Sequence, residues 1–249
     1  MPLPSLYTDH AAWFHLLSPP EEYVEEAAFY TRLIQGASAR PPRTLLELGS
    51  GGGSMASQYV QHFEATLSDL SPAMLDLSRQ IHPTLEHIVG DMRTLRVGRE
   101  FDAVFVHDAV CYLTSEDDLR QCMTTAWTHL RPGGVAVFAP DHTQENLEPG
   151  TDHGGHDSPD GARGLRYLEW THAAEPGATW HAVDYILAFN EAGKPLRVEH
   201  DRHIHGLFSR DTWIRLLRET GFENIEPRPL EHSEVPPGST EVFVAVRPE

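Results

Sequence analysis

The sequence predicts an α/β protein, with a mostly parallel sheet, helices on both faces and an antiparallel β insertion. Three observations carry this. The apolar run Thr44 to Leu48 ends abruptly in the glycine-rich stretch Gly49 to Gly53, as a strand buried on both faces does where it enters a ligand-binding turn. From there to Ala139 short apolar runs alternate with helix-patterned stretches, the order expected of βαβ units. Between Pro140 and Phe208 the helical period disappears, and strand-like runs separated by turn residues replace it.

The chain has 249 residues, which suits one domain with an insertion and is enough to bury a core without disulfides or metals. Cys111 and Cys122 are the only cysteines, and no charged-then-apolar leader is visible, so a reduced, cytoplasmic setting is expected. No apolar run is long enough for a transmembrane helix. A net charge of −18 argues against nucleic acid as a partner, because a phosphate backbone needs a basic surface.

Met1 to Gly36 holds Tyr7, Trp13, Phe14, Tyr23, Phe29 and Tyr30, and is broken by Pro19-Pro20. Helical spacing from Glu21 to Ile34 predicts two helices here, forming a cover on the sheet. The glycine turn follows, and Ser54 to Phe63 reads as the helix that leaves it. A dinucleotide fingerprint can be laid over Gly51, Gly53 and Ala56. Glu47, Gly49, Gly51 and Gly53 instead give acid-x-Gly-x-Gly-x-Gly, with a carboxylate at the strand end. That charge repels a pyrophosphate but not a ligand carrying a sulfonium and an ammonium.

With this pattern the chain resembles the class I S-adenosylmethionine-dependent methyltransferases, and four further stretches extend the resemblance over about residues 43–140. A second strand ends at Asp69, and a helix starts at Ser71-Pro72 with a serine cap. Asp69-Leu-Ser-Pro-Ala-Met-Leu matches the family's Asp-x-Ser-x-x-Met-Leu corner, where the acid accepts both ribose hydroxyls. A third strand, Leu85 to Gly90, leads to Asp91 and Met92; the resemblance places Asp91 at the adenine amino group and Met92 on the ring. The fourth, Phe101 to Val106, delivers His107, Asp108 and Tyr112 to the crevice at the strand ends. A helix from Ser115 to Leu130 and the run Leu-x-Pro-Gly-Gly-x-x-x-Phe lead into the fifth strand, Val135 to Ala139. The resemblance thus implies a Rossmann-like seven-stranded sheet. Its S-adenosylmethionine contacts would come from Glu47, Gly49, Ser50, Gly51 and Gly53 on the first turn. Asp69, Leu70, Asp91, Met92 and His107 would supply the others.

In the insertion, Leu165 to Thr171, Thr179 to Phe189 and Leu196 to Leu207 read as strands. Similar insertions wall the substrate site or make a dimer contact in small-molecule methyltransferases, including those acting on amino sugars, so this one is a candidate homodimer contact. His153 and His156 with Asp152 and Asp157, and separately His200, His203 and His205, lack a defined zinc spacing, and no metal is expected. Alternation puts His203 and His205 on the face opposite His200 and Ile204. Ser209 to Thr220 reads as the last helix with Gly221 as its stop; Phe222 to Leu230 and Thr240 to Val246 read as the closing strands.

The division expected is 1–140 for the cover and cofactor core, 141–208 for the insertion and 209–249 for the closing elements. The function expected is methyl transfer from S-adenosylmethionine to an oxygen or nitrogen of a small molecule. A nicotinamide-dependent oxidoreductase and a non-catalytic cofactor-binding protein are the alternatives. As proton acceptor His107 and Tyr112 come first. Tyr7 is a second orienting group, and His205 a candidate base from the insertion.

Overall fold

The computed structural model describes residues 3–236 and 238–249. In chain order the elements are α1 (Val24–Ala37), β1 (Thr44–Leu48), α2 (Ala56–Tyr59), β2 (Glu64–Asp69), α3 (Pro72–Ile81) and β3 (Glu86–Val89). β4 (Phe101–His107), α4 (Glu116–His129) and β5 (Leu130–Ala139) complete the first half. The insertion supplies β6 (Gly150–Gly154), β7 (Arg163–Thr171), β8 (Trp180–Glu191) and β9 (Arg197–Gly206). α5 (Arg210–Thr220), β10 (Glu223–Pro229) and β11 (Glu241–Val246) close the chain.

The main sheet has seven strands in the order β10-β11-β5-β4-β1-β2-β3, with β11 antiparallel to both neighbours. Its central strands are mostly apolar because both faces are covered. Leu45, Ala103, Phe105 and Val137 pack under α1 and α2, whereas Leu46, Val104, Val106 and Ala136 pack under α4 and α5. Ser71 caps α3 by accepting from Met74 N, and Gly221 ends α5 with φ +104°. Both are local choices that the residue type dictates. No helix among the described residues is long and apolar enough to cross a membrane.

Four expectations need correction. The helix after the glycine turn is only four residues long, because the turn runs through Met55 and β2 already begins at Glu64. Its N-terminus therefore offers little dipole to a ligand there. The N-terminal cover holds one α-helix, α1, preceded by three short 3₁₀ segments at Ser5–Tyr7, Ala11–Leu16 and Pro20–Tyr23. Prolines 4 and 19 stand immediately before two of these and prevent a longer helix from continuing through. The acidic, glycine-rich stretch around His153 contains a strand, β6, held by its antiparallel ladder with β7. β5 starts at Leu130, with a register shift against β4 between Phe101 and Ala103 absorbing the Pro-Gly-Gly segment.

The insertion forms a separate four-stranded antiparallel sheet, β6-β7-β8-β9. Its inner face buries Leu165, Leu187 and Phe189 against Leu6, with Tyr7, Trp13 and Phe14 packed alongside. The cover is thus clamped between core and insertion. Asp201 of β9 accepts from Leu6 N and Ser5 Oγ at 2.9 Å each, Ser71 Oγ donates to Tyr7 O at 2.5 Å, and Ser54 Oγ donates to Ser18 O at 2.8 Å.

Candidate active site

The C-terminal ends of β1, β2 and β4 and the loop after β3 open into a cleft of about 540 Å³, roofed by the N-terminal cover and β9. Glycine is required at the first turn. Gly49 has φ +81°, and a Cβ there would lie 2.2 Å from that of Ala109. Gly49 N and Ser50 N donate to Ser68 O at 2.8 and 2.9 Å, which fixes the turn against β2. Ser50 Oγ is buried without a protein partner.

Asp69 joins the two halves of this wall. Its Oδ2 accepts from Gly51 N at 2.9 Å and its Oδ1 from Ser71 N at 2.7 Å. Burial raises its pKa, and these amide bonds hold the rise in check. Each carboxylate oxygen keeps a lone pair, so the group can still accept from a pair of hydroxyls. Asp69→Ala should weaken cofactor binding by about 1–3 kcal/mol, the range for buried donors left unpaired, and calorimetric titration with S-adenosylhomocysteine checks it.

Leu70 lies half-exposed on the cleft wall beside it. Asp91 also faces the cleft, but Arg93 grips both its oxygens through Nε and Nη2 and holds its pKa below the usual range. An adenine amino group there would share the carboxylate with arginine. Met92 packs over the turn, its Cε 3.1 Å from where a Gly49 Cβ would stand.

Glu47 is buried under the turn, with Tyr59 OH donating to its Oε2 at 2.5 Å. Burial pushes it up to about 7, so at neutral pH it does not present a full charge to the ligand, contrary to the sequence expectation.

His107 Nε2 lies 3.1 Å from Glu26 Oε1 and 3.0 Å from Asp108 Oδ1. Burial alone would lower its pKa, but Asp108 and Glu26 outweigh this and raise it to about 10. At neutral pH it then keeps its proton, which argues against the expected role as general base.

Tyr7 OH and Tyr112 OH are 2.8 Å apart, and Tyr112 OH is 2.8 Å from His203 Nδ1. Burial raises both phenols above their ordinary value, which removes them as bases at neutral pH but leaves them as hydrogen-bonding groups. His205 packs edge-on against the Tyr112 ring, centroids 5.0 Å apart. Burial and the neighbouring His203, His181 and His142 lower it to about 3, too weak for a useful base. The cleft thus gathers Tyr7, Tyr112 and His107, whereas His205 stands behind them and buttresses Tyr112.

Of the two histidines that strand parity puts on one face, the one lining the cleft is His203 and not His205, the one named from the sequence. Sequence reasoning placed Asp108 at the crevice but missed Glu26 and Asp141. Asp108 leaves β4 with φ +46°, unusual for a non-glycine residue and typical of functional positions. Asp141 follows β5, and the neighbouring Asp108 helps to raise its pKa. Outside the cleft, His156 pairs with Glu22 at 3.2 Å and His200 with Asp184 at 2.7 Å. Among the described residues no group of three or more His, Cys, Asp or Glu side chains has metal-holding geometry.

Residues 45–134 match a protein family described as a methyltransferase domain. The chain is 28% identical over 243 residues to a dTDP-3-amino-3,4,6-trideoxy-alpha-D-glucopyranose N,N-dimethyltransferase of Streptomyces venezuelae, covering 96% of this chain and 98% of that protein. It is 27% identical to a dTDP-3-amino-3,6-dideoxy-alpha-D-glucopyranose N,N-dimethyltransferase of Streptomyces fradiae, covering 81% and 78%. Among solved structures, Streptomyces venezuelae DesVI superposes with a TM-score of 0.83 at 24% identity, over 97% of this chain and 99% of the other. CalS10, an amino pentose methyltransferase from Micromonospora echinaspora solved with S-adenosylmethionine bound, gives 0.73 at 25% identity, over 90% and 91%.

Proposed function

We infer that this chain, which belongs to the class I S-adenosylmethionine-dependent methyltransferases and passes a methyl group to a small molecule, takes as its acceptor the amino nitrogen of a nucleotide-linked deoxysugar. The observation that carries the choice of nitrogen is the likeness, over 96% of this chain, to a relative named as an amino-sugar N,N-dimethyltransferase. An amine, once neutral, brings its own lone pair. Both relatives bear names of amino-sugar N,N-dimethyltransferases, which supports the same class. Neither points toward nicotinamide chemistry.

The cofactor supplies a methyl group already activated on sulfur. The protein then has to bind, align and exclude water, contributions that can supply much of the barrier lowering. Asp69 suits the ribose, the glycine turn with the unpartnered Ser50 Oγ suits the methionine end, and Leu70, Asp91 and Met92 suit the adenine. Tyr7 and Tyr112, hydrogen-bonded to one another and buttressed by His203, form a fixed polar wall that orients the acceptor. The cover closes this wall from above, which keeps the reacting atoms dry.

The test is an assay with methyl-labelled S-adenosylmethionine and dTDP-3-amino-3,4,6-trideoxy-alpha-D-glucopyranose, run beside the same sugar nucleotide bearing a 3-hydroxyl. Mass spectrometry should find label on the amine only. Label on the hydroxyl analogue alone would contradict the nitrogen assignment, and no label with either would contradict the acceptor class.

The assembly proposed is a homodimer through the insertion. Its outer face exposes Leu168, Trp170, Ile186 and Val198 on three adjacent strands, with Leu168 paired directly to Ile186. Such an apolar sheet face is unusual on a monomer. Trp170→Glu combined with Val198→Glu should shift the protein to monomer in light scattering while S-adenosylhomocysteine affinity stays near wild type. The net charge of −18 keeps nucleic acid off the list of proposed partners.

A further inference from the structure

We propose that the carboxyl pair Asp108 and Asp141 is the seat of the acceptor's amino group, binding the nitrogen as a cation and receiving the proton it sheds before methyl transfer. This rests on the nitrogen acceptor inferred above and assigns that nitrogen a place.

Position comes first. Asp108 follows the last residue of β4, and Asp141 stands two residues beyond the end of β5, the neighbouring strand. Asp108 N donates to Ala139 O at 3.0 Å, which locks the two strand ends together. Asp108 lines the cleft between the first glycine turn and Tyr112. Its side chain is 54% exposed, so it is reachable from the cleft; Asp141, 37% exposed, is not itself part of the cleft lining and acts through Asp108.

Charge comes second. Two adjacent carboxyls in a protein cleft cannot both ionise freely, so the pair holds one proton and one negative charge at neutral pH. Burial and Asp108 push Asp141 up to about 8. The one strong cation in contact is His107, and Glu26 competes for it from the other side. One negative charge beside the cleft is therefore left uncompensated, which a bound ammonium would neutralise.

A third observation concerns the histidines beside Asp141. His205, with a side chain 8% exposed, places Nδ1 3.7 Å from Asp141 Oδ2 and leaves Nε2 buried without any protein partner. Nor is its neighbour His181 satisfied at Nδ1, and burial lowers that ring to about 4. Neutral imidazoles with unmet polar atoms thus back the pair, a setting left incomplete by the protein alone.

The chemistry balances. The bound ammonium gives one proton to the ionised carboxylate of the pair and becomes a neutral amine. Its lone pair forms the nitrogen–carbon bond as the carbon–sulfur bond breaks, and that electron pair stays on sulfur as the neutral thioether of S-adenosylhomocysteine. The product nitrogen carries the positive charge. After the pair releases its proton to water, it can accept another from the methylated nitrogen, which opens the way to a second transfer. His107 acts here as a positioning residue, holding Asp108 toward the cleft.

The test uses the full chain with Asp108→Asn, Asp141→Asn and Asp141→Glu. Each is assayed for turnover of the amino-sugar acceptor, S-adenosylhomocysteine affinity by calorimetry, and the carboxylic-acid carbonyl band in the infrared. Both asparagine variants should lose about 10²–10⁴-fold in kcat, the usual contribution of a positioned proton acceptor, with affinity near wild type. Asp141→Glu should recover part of the loss, and the neutral-pH band of wild type should vanish in Asp141→Asn. Turnover near wild type in either asparagine variant would overturn the proposal, as would the absence of the band from wild type. A parallel loss of S-adenosylhomocysteine affinity would also overturn it, by giving these carboxylates to the cofactor's own ammonium. A wild type that methylates only the hydroxyl analogue, with the band intact, would instead sink the nitrogen acceptor.

Discussion

His107→Leu should cost the fold about 3–5 kcal/mol, because it leaves Glu26 and Asp108 as carboxylates without their shared cation. Denaturant titration measures this directly. The same ion set gives the wild type a pH signature with a defined sign. His107 rises from an ordinary 6.5 to about 10 in the folded state, so its stabilisation is complete below pH 6.5 and is lost as pH climbs through 10. Asp141, raised from 3.8 to about 8, pushes the same way, since charging it costs the folded state. Ligand-free protein should therefore lose stability steadily between pH 6.5 and 10, and His107→Leu should flatten most of that slope. A wild-type stability that stays level over this window would show that His107 is not the paired imidazolium described.

Gly49→Ala is expected to have the second-largest effect, on both stability and cofactor affinity. The backbone at φ +81° costs a residue with a Cβ about 1–2 kcal/mol. Its Cβ would also overlap that of Ala109, 2.2 Å away, adding about 1–3 kcal/mol of overpacking. Ala109 follows Asp108, so relief by movement would carry the β4 end with it. Gly51→Ala is the control: Met74 Cε at 3.5 Å is its nearest neighbour, so φ +54° is the main obstacle there. Melting temperature and S-adenosylhomocysteine titration of the two variants should rank Gly49→Ala as clearly the worse.

What the sequence made legible was whatever is encoded locally. The apolar run Thr44 to Leu48, the Ser71-Pro72 helix start and the Gly221 stop each depend on a few adjacent residues, and the structure has them in place. The parity of β9 also held, with His203 and His205 buried and His200 outside. What failed depends on distant partners. β6 exists through its ladder with β7, and its own residues carry no strand signal. The acidic setting of His107 was not legible, because nothing near it in sequence announces Glu26, which lies 81 positions away. Asp108 and Asp141 are separated by α4 and β5, so their contact follows from sheet order alone.

The most direct test of the cleft assignment is a crystal structure of the chain with S-adenosylhomocysteine. The account predicts both ribose hydroxyls on Asp69, the adenine against Met92 beside Asp91, and the sulfur facing the space between Asp108 and Tyr112. A ribose held away from Asp69, or a sulfur pointing away from that space, would contradict it.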